Sequence, residues 1–440
     1  MAGSGHSSGN SGLAPSKRET EAETLTRLGS ISAASVLLFP PVGWQRVNMG
    51  RALFESNTTF RSSIMACNLV CRHLLPQPLL EALYPSADGD AADIAEMLLA
   101  RPDYTLASLF AVEYALLALL REQACEPAAV IGHSIGEYMA AVSAGVLTMP
   151  VALELVIERG RAMLASPTSG AMISVKARVA SARDAIARAR RRDEVVVAAF
   201  NAPESCVLAG SFHGLAAVRA ALPAEVKSTP VRTEHPDHSP LMRPVAEAVL
   251  SRARALYAAS PPSPPTCLWV STVALEAPPP SASRDLKGDF DGDSAAAATA
   301  AAVAAPCVVS GESMIEPSYW ALHAVRSVDF LGAVRRVADA FVAASTHQCE
   351  CSRTLHLVDM GEGMLARFAS EILSEQSSPS VRVQVTSLLS REEATASADA
   401  YMELARRTEA AIDVVLRPTR AAKLQAFLDN SSGRRCEMSE

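Results

Sequence analysis

Ser134 stands in Gly132-His133-Ser134-Ile135-Gly136, directly after the short apolar run Ala128-Ala129-Val130-Ile131 and before a helical pattern from Glu137 to about Gly145. A G-x-S-x-G sequence between a strand and a helix has the form of a nucleophile elbow. Small residues on both sides allow a sharp turn to present the serine hydroxyl at the helix N-terminus. The helix end favours developing negative charge, and the N–H of Ile135 can help hold an oxyanion. Such a serine needs a base. Of the nine histidines, His133 is aimed away from its neighbour by the tight turn. His238 lies in His235-Pro236-Asp237-His238-Ser239-Pro240-Leu241-Met242, a loop from which an imidazole can reach a cleft between two lobes and act as acid and base.

The elements around these residues suggest how they are positioned. Val36-Leu37-Leu38-Phe39, stopped by Pro40-Pro41, reads as a buried strand running into a loop. Residues 105–123 carry apolar positions at helical spacing. Strand, sharp turn and helix in that order point to an α/β sheet with a site at the carboxyl end of its strands. From 171 to 233 the rhythm changes. Strands at 171–177, 195–200, 206–210 and 227–233 alternate with helices at 179–191 and 215–222, the β-α-β-β-α-β order of a ferredoxin-like unit. The expected fold is therefore α/β: a hydrolase-like large lobe with a central parallel sheet, plus an inserted ferredoxin-like small subdomain. Residues 1–35 read as a disordered tail, 36–170 and 234–415 as the two parts of the large lobe, and 416–440 as a C-terminal tail. Within the second part, 276–313 is a low-complexity insertion of prolines, acidic residues and alanines. Its acidic stretch lacks the spacing of a calcium loop, so no metal is expected.

Composition narrows the function classes. At ~150 residues per domain, 440 residues suggest about three domains, or one large domain with insertions. With 49% hydrophobic and 20% charged residues, full disorder is excluded. The net charge of −7 argues against nucleic-acid binding. Nine scattered cysteines without paired C-x-x-C units support neither a zinc site nor a disulfide framework, and fit a reducing compartment. The most apolar stretch, 106–120, contains Glu113 and falls short of the ~20 residues a span needs, so no membrane partner is expected. The Gly/Ser-rich start lacks the apolar core of a secretory signal, and its Glu19, Glu21 and Glu23 are unlike a transit peptide. A cytoplasmic location is the expectation, with plastid or mitochondrial targeting left open. Met139, Met163 and Met172 read as core filler.

Several motifs together resemble a known family. Gly132-His133-Ser134-Ile135-Gly136-Glu137-Tyr138 is similar to the G-H-S-x-G-E nucleophile motif of the malonyl-CoA:acyl-carrier-protein transacylase family, and more closely of the acyltransferase domains of polyketide and fatty acid synthases. Leu109-Phe110-Ala111-Val112-Glu113-Tyr114-Ala115-Leu116 resembles the preceding helix. Asn201-Ala202-Pro203, Ala209-Gly210, His238-Ser239-Pro240-Leu241-Met242, and Tyr319-Trp320 through His323 to Val328-Asp329-Phe330 follow in the family's order. The similarity runs from about Val36 to about Asp413.

The resemblance implies roles. Ser134 would carry the acyl group as an ester, His238 would be the base, and the backbone N–H groups of Ile135 and Val42 would form the oxyanion hole. Arg159, twenty-five residues past Ser134, matches the arginine that grips a substrate carboxylate, a task a guanidinium fork performs better than lysine. His323 would orient His238 through its backbone carbonyl, so its side chain would not be catalytic. His235 and Ile135 fit malonyl selectivity. Pro236 and Asp237 do not fit that pattern, and Asp237, which would repel a carboxylated substrate if it pointed inward, is expected to face solvent. The substrates would be an acyl-CoA, malonyl-CoA first, and the phosphopantetheine thiol of an acyl carrier protein, with no bound cofactor. Arg188, Arg190, Arg191 and Arg192 read as a solvated helix end or as a docking patch for that acidic carrier.

Three departures bear on activity. Pro41 and Val42 replace glycine and glutamine in the loop after the first strand, Leu106 replaces a pocket glutamine, and Gly361-Glu362-Gly363 replaces G-P-G. Two rival readings stay open at this point: a serine thioesterase or esterase, which would have little use for Arg159, and a non-catalytic acyltransferase-like docking protein.

Overall fold

The computed structural model describes residues 33–86, 89–122, 126–166, 170–231, 233–274, 314–345, 353–375 and 381–389. The insertion 276–313 and the tail 416–440 lie outside these residues, as do Cys125, Cys307, Cys349, Cys351 and Cys436. Cys67, Cys71, Cys206 and Cys267 are buried thiols.

The large lobe opens with β1 (Ala33–Phe39), α1 (Thr58–Cys71), α2 (Ala91–Ala100), α3 (Pro102–Glu122), β2 (Ala129–Gly132), α4 (Gly136–Ser143) and α5 (Met149–Ala165). The small lobe follows as β3 (Ala171–Val175), α6 (Val179–Arg188), β4 (Val195–Ala202), β5 (Ser205–Gly210), α7 (Phe212–Ala221) and β6 (Ser228–Pro230). The chain returns to the large lobe through α8 (Arg243–Ala259), β7 (Leu268–Val270), α9 (Pro317–Val325), β8 (Val328–Asp329), α10 (Phe330–Ser345), β9 (Arg353–Asp359), α11 (Met364–Ser374) and β10 (Val381–Ser387).

The main sheet runs β10-β9-β1-β2-β7, and every neighbouring pair is parallel. Parallel strands are covered on both faces, which is why β1 and β2 read as unbroken apolar runs. Val36 and Leu38 pack with Ile131, Leu357, Val337 and Phe368 on one face, while Leu37 and Phe39 join Val130, Phe110 and Leu116 on the other. β1 begins at Ala33, inside the expected tail, because Ala33 and Ala34 already pair with Thr354 and Leu355 of β9.

α3 is the central helix of this lobe. It is 21 residues long, so the 15-residue apolar stretch understates it, and by length and composition it could cross a bilayer. A helix apolar all round is instead buried in a large core, and nearly all of this one is covered by protein. Burying each of its large apolar side chains contributes roughly 1.5–3 kcal/mol. Glu113 is its exception, only 1% exposed. Burial, then the neighbouring Asp359, pushes its carboxyl well above the usual carboxylate range, so the core takes in a neutral acid rather than a charge.

The second sheet runs β6-β3-β5-β4-β8. Its first four strands are mutually antiparallel neighbours, and their order by position in the small lobe is fourth, first, third, second, the ferredoxin-like arrangement. Ile173, Val175 and Leu208 from the sheet meet Ala182, Ile186, Leu215 and Val218 from α6 and α7. β8, from the returning chain, adds in parallel to β4 through Ala199 and Phe200. The sheet thereby ties the two lobes together, which the sequence pattern does not announce.

α3 and α5 cross closely at Gly160, where an added Cβ would lie 2.4 Å from the Cα of Asp103. Backbone cannot give way as a flexible side chain can. Gly160→Ala should therefore cost about 2–3 kcal/mol, read as a lower urea midpoint. An unchanged midpoint would show that the helices are not packed at this spacing.

Candidate active site

Gly132 ends β2 and Gly136 begins α4, and both are glycine for steric reasons. A Cβ on Gly132 would lie 2.3 Å from the Glu137 amide nitrogen, and one on Gly136 would lie 2.1 Å from the Phe39 carbonyl oxygen. The turn between them holds Ser134 at φ 53°, a left-handed conformation costly for any residue with a side chain. Surrounding bonds fix it. His133 N–H donates to the Phe39 carbonyl at 2.8 Å, and Glu137 N–H donates to the Ser134 carbonyl at 2.9 Å. The buried Glu137 carboxylate accepts from Trp269 Nε1 (2.7 Å) and Thr272 N–H (2.6 Å). The Thr272 hydroxyl lies 2.7 Å from the Gly132 carbonyl and 2.8 Å from Glu137. Burial outweighs these bonds and raises the Glu137 carboxyl to about 7. Across the lobes, His133 Nε2 sits 2.8 Å from Asn201 Oδ1 on β4, and burial lowers His133 to about 4.

Ser134 Oγ and His238 Nε2 are 2.6 Å apart. His238 Nδ1 lies 3.0 Å from the Arg326 carbonyl, and a carbonyl can only accept. The imidazole proton is therefore on Nδ1, and Nε2 offers its lone pair to the serine hydroxyl. That is the tautomer a general base requires. His238 also has a left-handed backbone, φ 59°, with its N–H donating to the Ala324 carbonyl at 3.2 Å. Burial first, then the charge of Arg159, lowers its pKa to about 3. The base is neutral throughout the physiological range.

Arg159, on α5, is 2% exposed. Its Nη1 donates to His323 Nδ1 at 2.9 Å and its Nη2 to Asp237 Oδ1 at 3.1 Å. Because a guanidinium only donates, His323 must carry its proton on Nε2, which donates to the Ser134 carbonyl at 2.9 Å. Burial and then Arg159 hold His323 well below the usual histidine range. Asp237, Arg159, His323 and the Ser134 backbone thus form one chain of hydrogen bonds.

Two expectations are corrected here. The principal acceptor for His238 Nδ1 is the Arg326 carbonyl, with that of His323 contributing less. α9 stops at Val325 and the chain becomes extended at Arg326, leaving that carbonyl free of the helical ladder. The His323 side chain, not expected to be catalytic, touches no reacting atom and instead bridges Arg159 and the nucleophile's backbone. Asp237, expected to face solvent, is 9% exposed and paired with Arg159, since the arginine has no other carboxylate bound to it among the described residues.

His235 is half-buried in the approach to the loop, its N–H donating to Thr233 Oγ1 at 3.1 Å, and it bonds to none of Ser134, His238 or Arg159. Ile135 stands at the head of α4. Val42 packs partly buried against the core in the turn after β1. Neither backbone N–H donates to a carbonyl among the described residues. Leu106 is in the core, 4% exposed. Arg188 and Arg191 are engaged locally, with the Ala221 carbonyl and Glu194. Thr272, Trp269 and Arg326 escaped the sequence reading, for they belong to no spacing pattern; Glu137 and Asn201 stood within quoted motifs without an assigned task.

The chain belongs to the acyl transferase domain family, which matches residues 36–349. It is 29% identical over 339 residues to erythronolide synthase EryA2 of Saccharopolyspora erythraea, covering 74% of this chain and 8% of that protein. It is 37% identical over 235 residues to phenolphthiocerol synthesis polyketide synthase type I Pks15/1 of Mycobacterium marinum, covering 53% and 10%. The chain thus spans about a tenth or less of the length of these relatives. Among solved structures, the acyltransferase domain from the second module of the salinomycin polyketide synthase superposes with TM-score 0.62 at 26% identity, covering 89% of this chain and 77% of that one. The chain is thus an acyl transferase domain with the α/β fold described above.

A base held at about 3 is active at every pH above that value, whereas an ordinary histidine loses half its basic form near 6.5. His238 should therefore add no inflection to the rate of Ser134 acylation by acetyl-CoA between about pH 8 and about pH 5, where the only other group of this turn that titrates is the Glu137 carboxyl at about 7. An inflection near 6.5 that persists in Glu137→Gln, read by stopped-flow or quenched assays, would contradict this environment for His238.

Proposed function

We propose that the chain moves an acyl group from coenzyme A, through an ester on Ser134, to the phosphopantetheine thiol of an acyl carrier protein. The 2.6 Å contact between Ser134 Oγ and His238 Nε2, with the tautomer set by the Arg326 carbonyl, carries this reading. Malonyl is among the acyl groups this site would take, since its free carboxylate can pair with a guanidinium such as that of Arg159.

Ser134 Oγ attacks the thioester carbonyl carbon while its proton passes to His238 Nε2. The backbone N–H groups of Ile135 and Val42 hold the resulting oxyanion, aided by the N-terminus of α4. The C–S bond breaks, and the imidazolium, strongly acidic in this buried site, gives its proton to the departing coenzyme A sulfur. In the second half the carrier thiol gives its proton to His238, its sulfur attacks the ester, and Ser134 leaves with the proton returned to it. Ser134 and His238 handle every proton, so the scheme calls for no resident metal or cofactor.

Intact-mass measurement after mixing with malonyl-CoA or acetyl-CoA should show one acyl adduct on Ser134. The adduct should be absent in Ser134→Ala and should be discharged by a holo acyl carrier protein. Adducts that decay to free acid before the carrier is added would favour a thioesterase. No adduct with either thioester would favour a docking protein.

A further inference from the structure

Arg159 meets two protein groups before any substrate arrives. Nη1 is held by His323 at 2.9 Å and Nη2 by Asp237 at 3.1 Å. Asp237 directly precedes His238 in the chain, so the loop that delivers the base also delivers a carboxylate to the arginine. Both partners are buried, with side chains 3% and 13% exposed. A guanidinium grips a carboxylate most firmly through two parallel N–H bonds, and here one N–H of each outer nitrogen is already given to a protein group, one of them a carboxylate.

We propose that Asp237 is a specificity-determining residue: a resident carboxylate that competes with a carboxylated acyl group for Arg159 and opens the site to uncharged short acyl groups. The inference rests on the acyl-transfer reading above. A malonyl group entering this site must displace Asp237 or share one positive charge with it, and two buried carboxylates on one guanidinium repel each other. An acetyl-like group meets the opposite situation. Beside a lone buried arginine it would leave the charge uncompensated, whereas beside the Arg159–Asp237 pair it faces a neutral surface. His323 does not alter the balance, since burial and Arg159 keep it uncharged.

The test is the ratio of kcat/KM for Ser134 acylation by malonyl-CoA to that by acetyl-CoA. Asp237→Asn keeps the shape and removes the charge. It should raise the ratio about tenfold, mainly through a lower half-saturating concentration of malonyl-CoA rather than a change in kcat. Asp237→Ser reads the same quantity should the amide variant fail to fold. In an Arg159→Ala background the second substitution should leave the ratio where it stands, because Asp237 acts through that arginine. A purely structural role would move both substrates together in either background. A ratio unchanged or lowered in a folded Asp237 variant overturns the proposal while leaving acyl transfer intact. If the parent chain takes an acyl group from neither thioester, the acyl-transfer reading fails and this inference falls with it.

Discussion

The cleft depends on the left-handed backbone of Ser134. A serine at φ 53° costs on the order of 1–3 kcal/mol, and it persists because the surroundings leave no other path. Gly132 and Gly136 let the turn close against Glu137 and Phe39 at distances no side chain could enter. The turn in turn defines three directions at once. The hydroxyl points to His238, the carbonyl accepts from Glu137 and His323, and the head of α4 lies beneath the reacting atoms. Any relaxation of the turn would dissolve all three together.

Charge in the site is arranged with similar economy. Two buried histidines flank a buried arginine, and each stays neutral because burial and the guanidinium oppose a further positive charge. The carbonyls of Arg326 and Ser134 then decide which nitrogen of each ring carries the proton. The departures from the family pattern leave this network untouched. Leu106 is absorbed into the core. A Cβ on Gly361 would lie 2.7 Å from Pro40 Cγ, so the Gly361-Glu362-Gly363 turn packs against the proline-rich loop after β1, and Glu362 pairs with Arg46 from that same loop. The altered segments are neighbours in space and brace one another.

Much of this was legible in the sequence because it is local. A run such as Val36-Leu37-Leu38-Phe39, stopped by two prolines, reads as a strand buried on both faces, and glycines two residues either side of Ser134 announce a turn too tight for a Cβ. The β-α-β-β-α-β rhythm of residues 171–233 likewise fixes the small lobe's topology, although its last strand shrinks to Ser228–Pro230. What stayed hidden is long-range. β8 joins the small sheet after leaving the other lobe, and Arg326 offers its carbonyl because α9 happens to end one residue earlier. Asp237 seemed safest in solvent when judged alone. The charge it needed lay on α5, 78 positions away in the chain, and nothing in the spacing of either residue reveals the pairing.

The central claim is that one hydroxyl in this chain is activated, and that one imidazole activates it. Labelling by a serine-directed fluorophosphonate, followed by peptide mapping, tests this without assuming any substrate. The account predicts that the label is found on Ser134 and that His238→Ala slows its attachment by about a hundredfold or more. Labelling of a different serine, or an undiminished rate in the His238 variant, would contradict it.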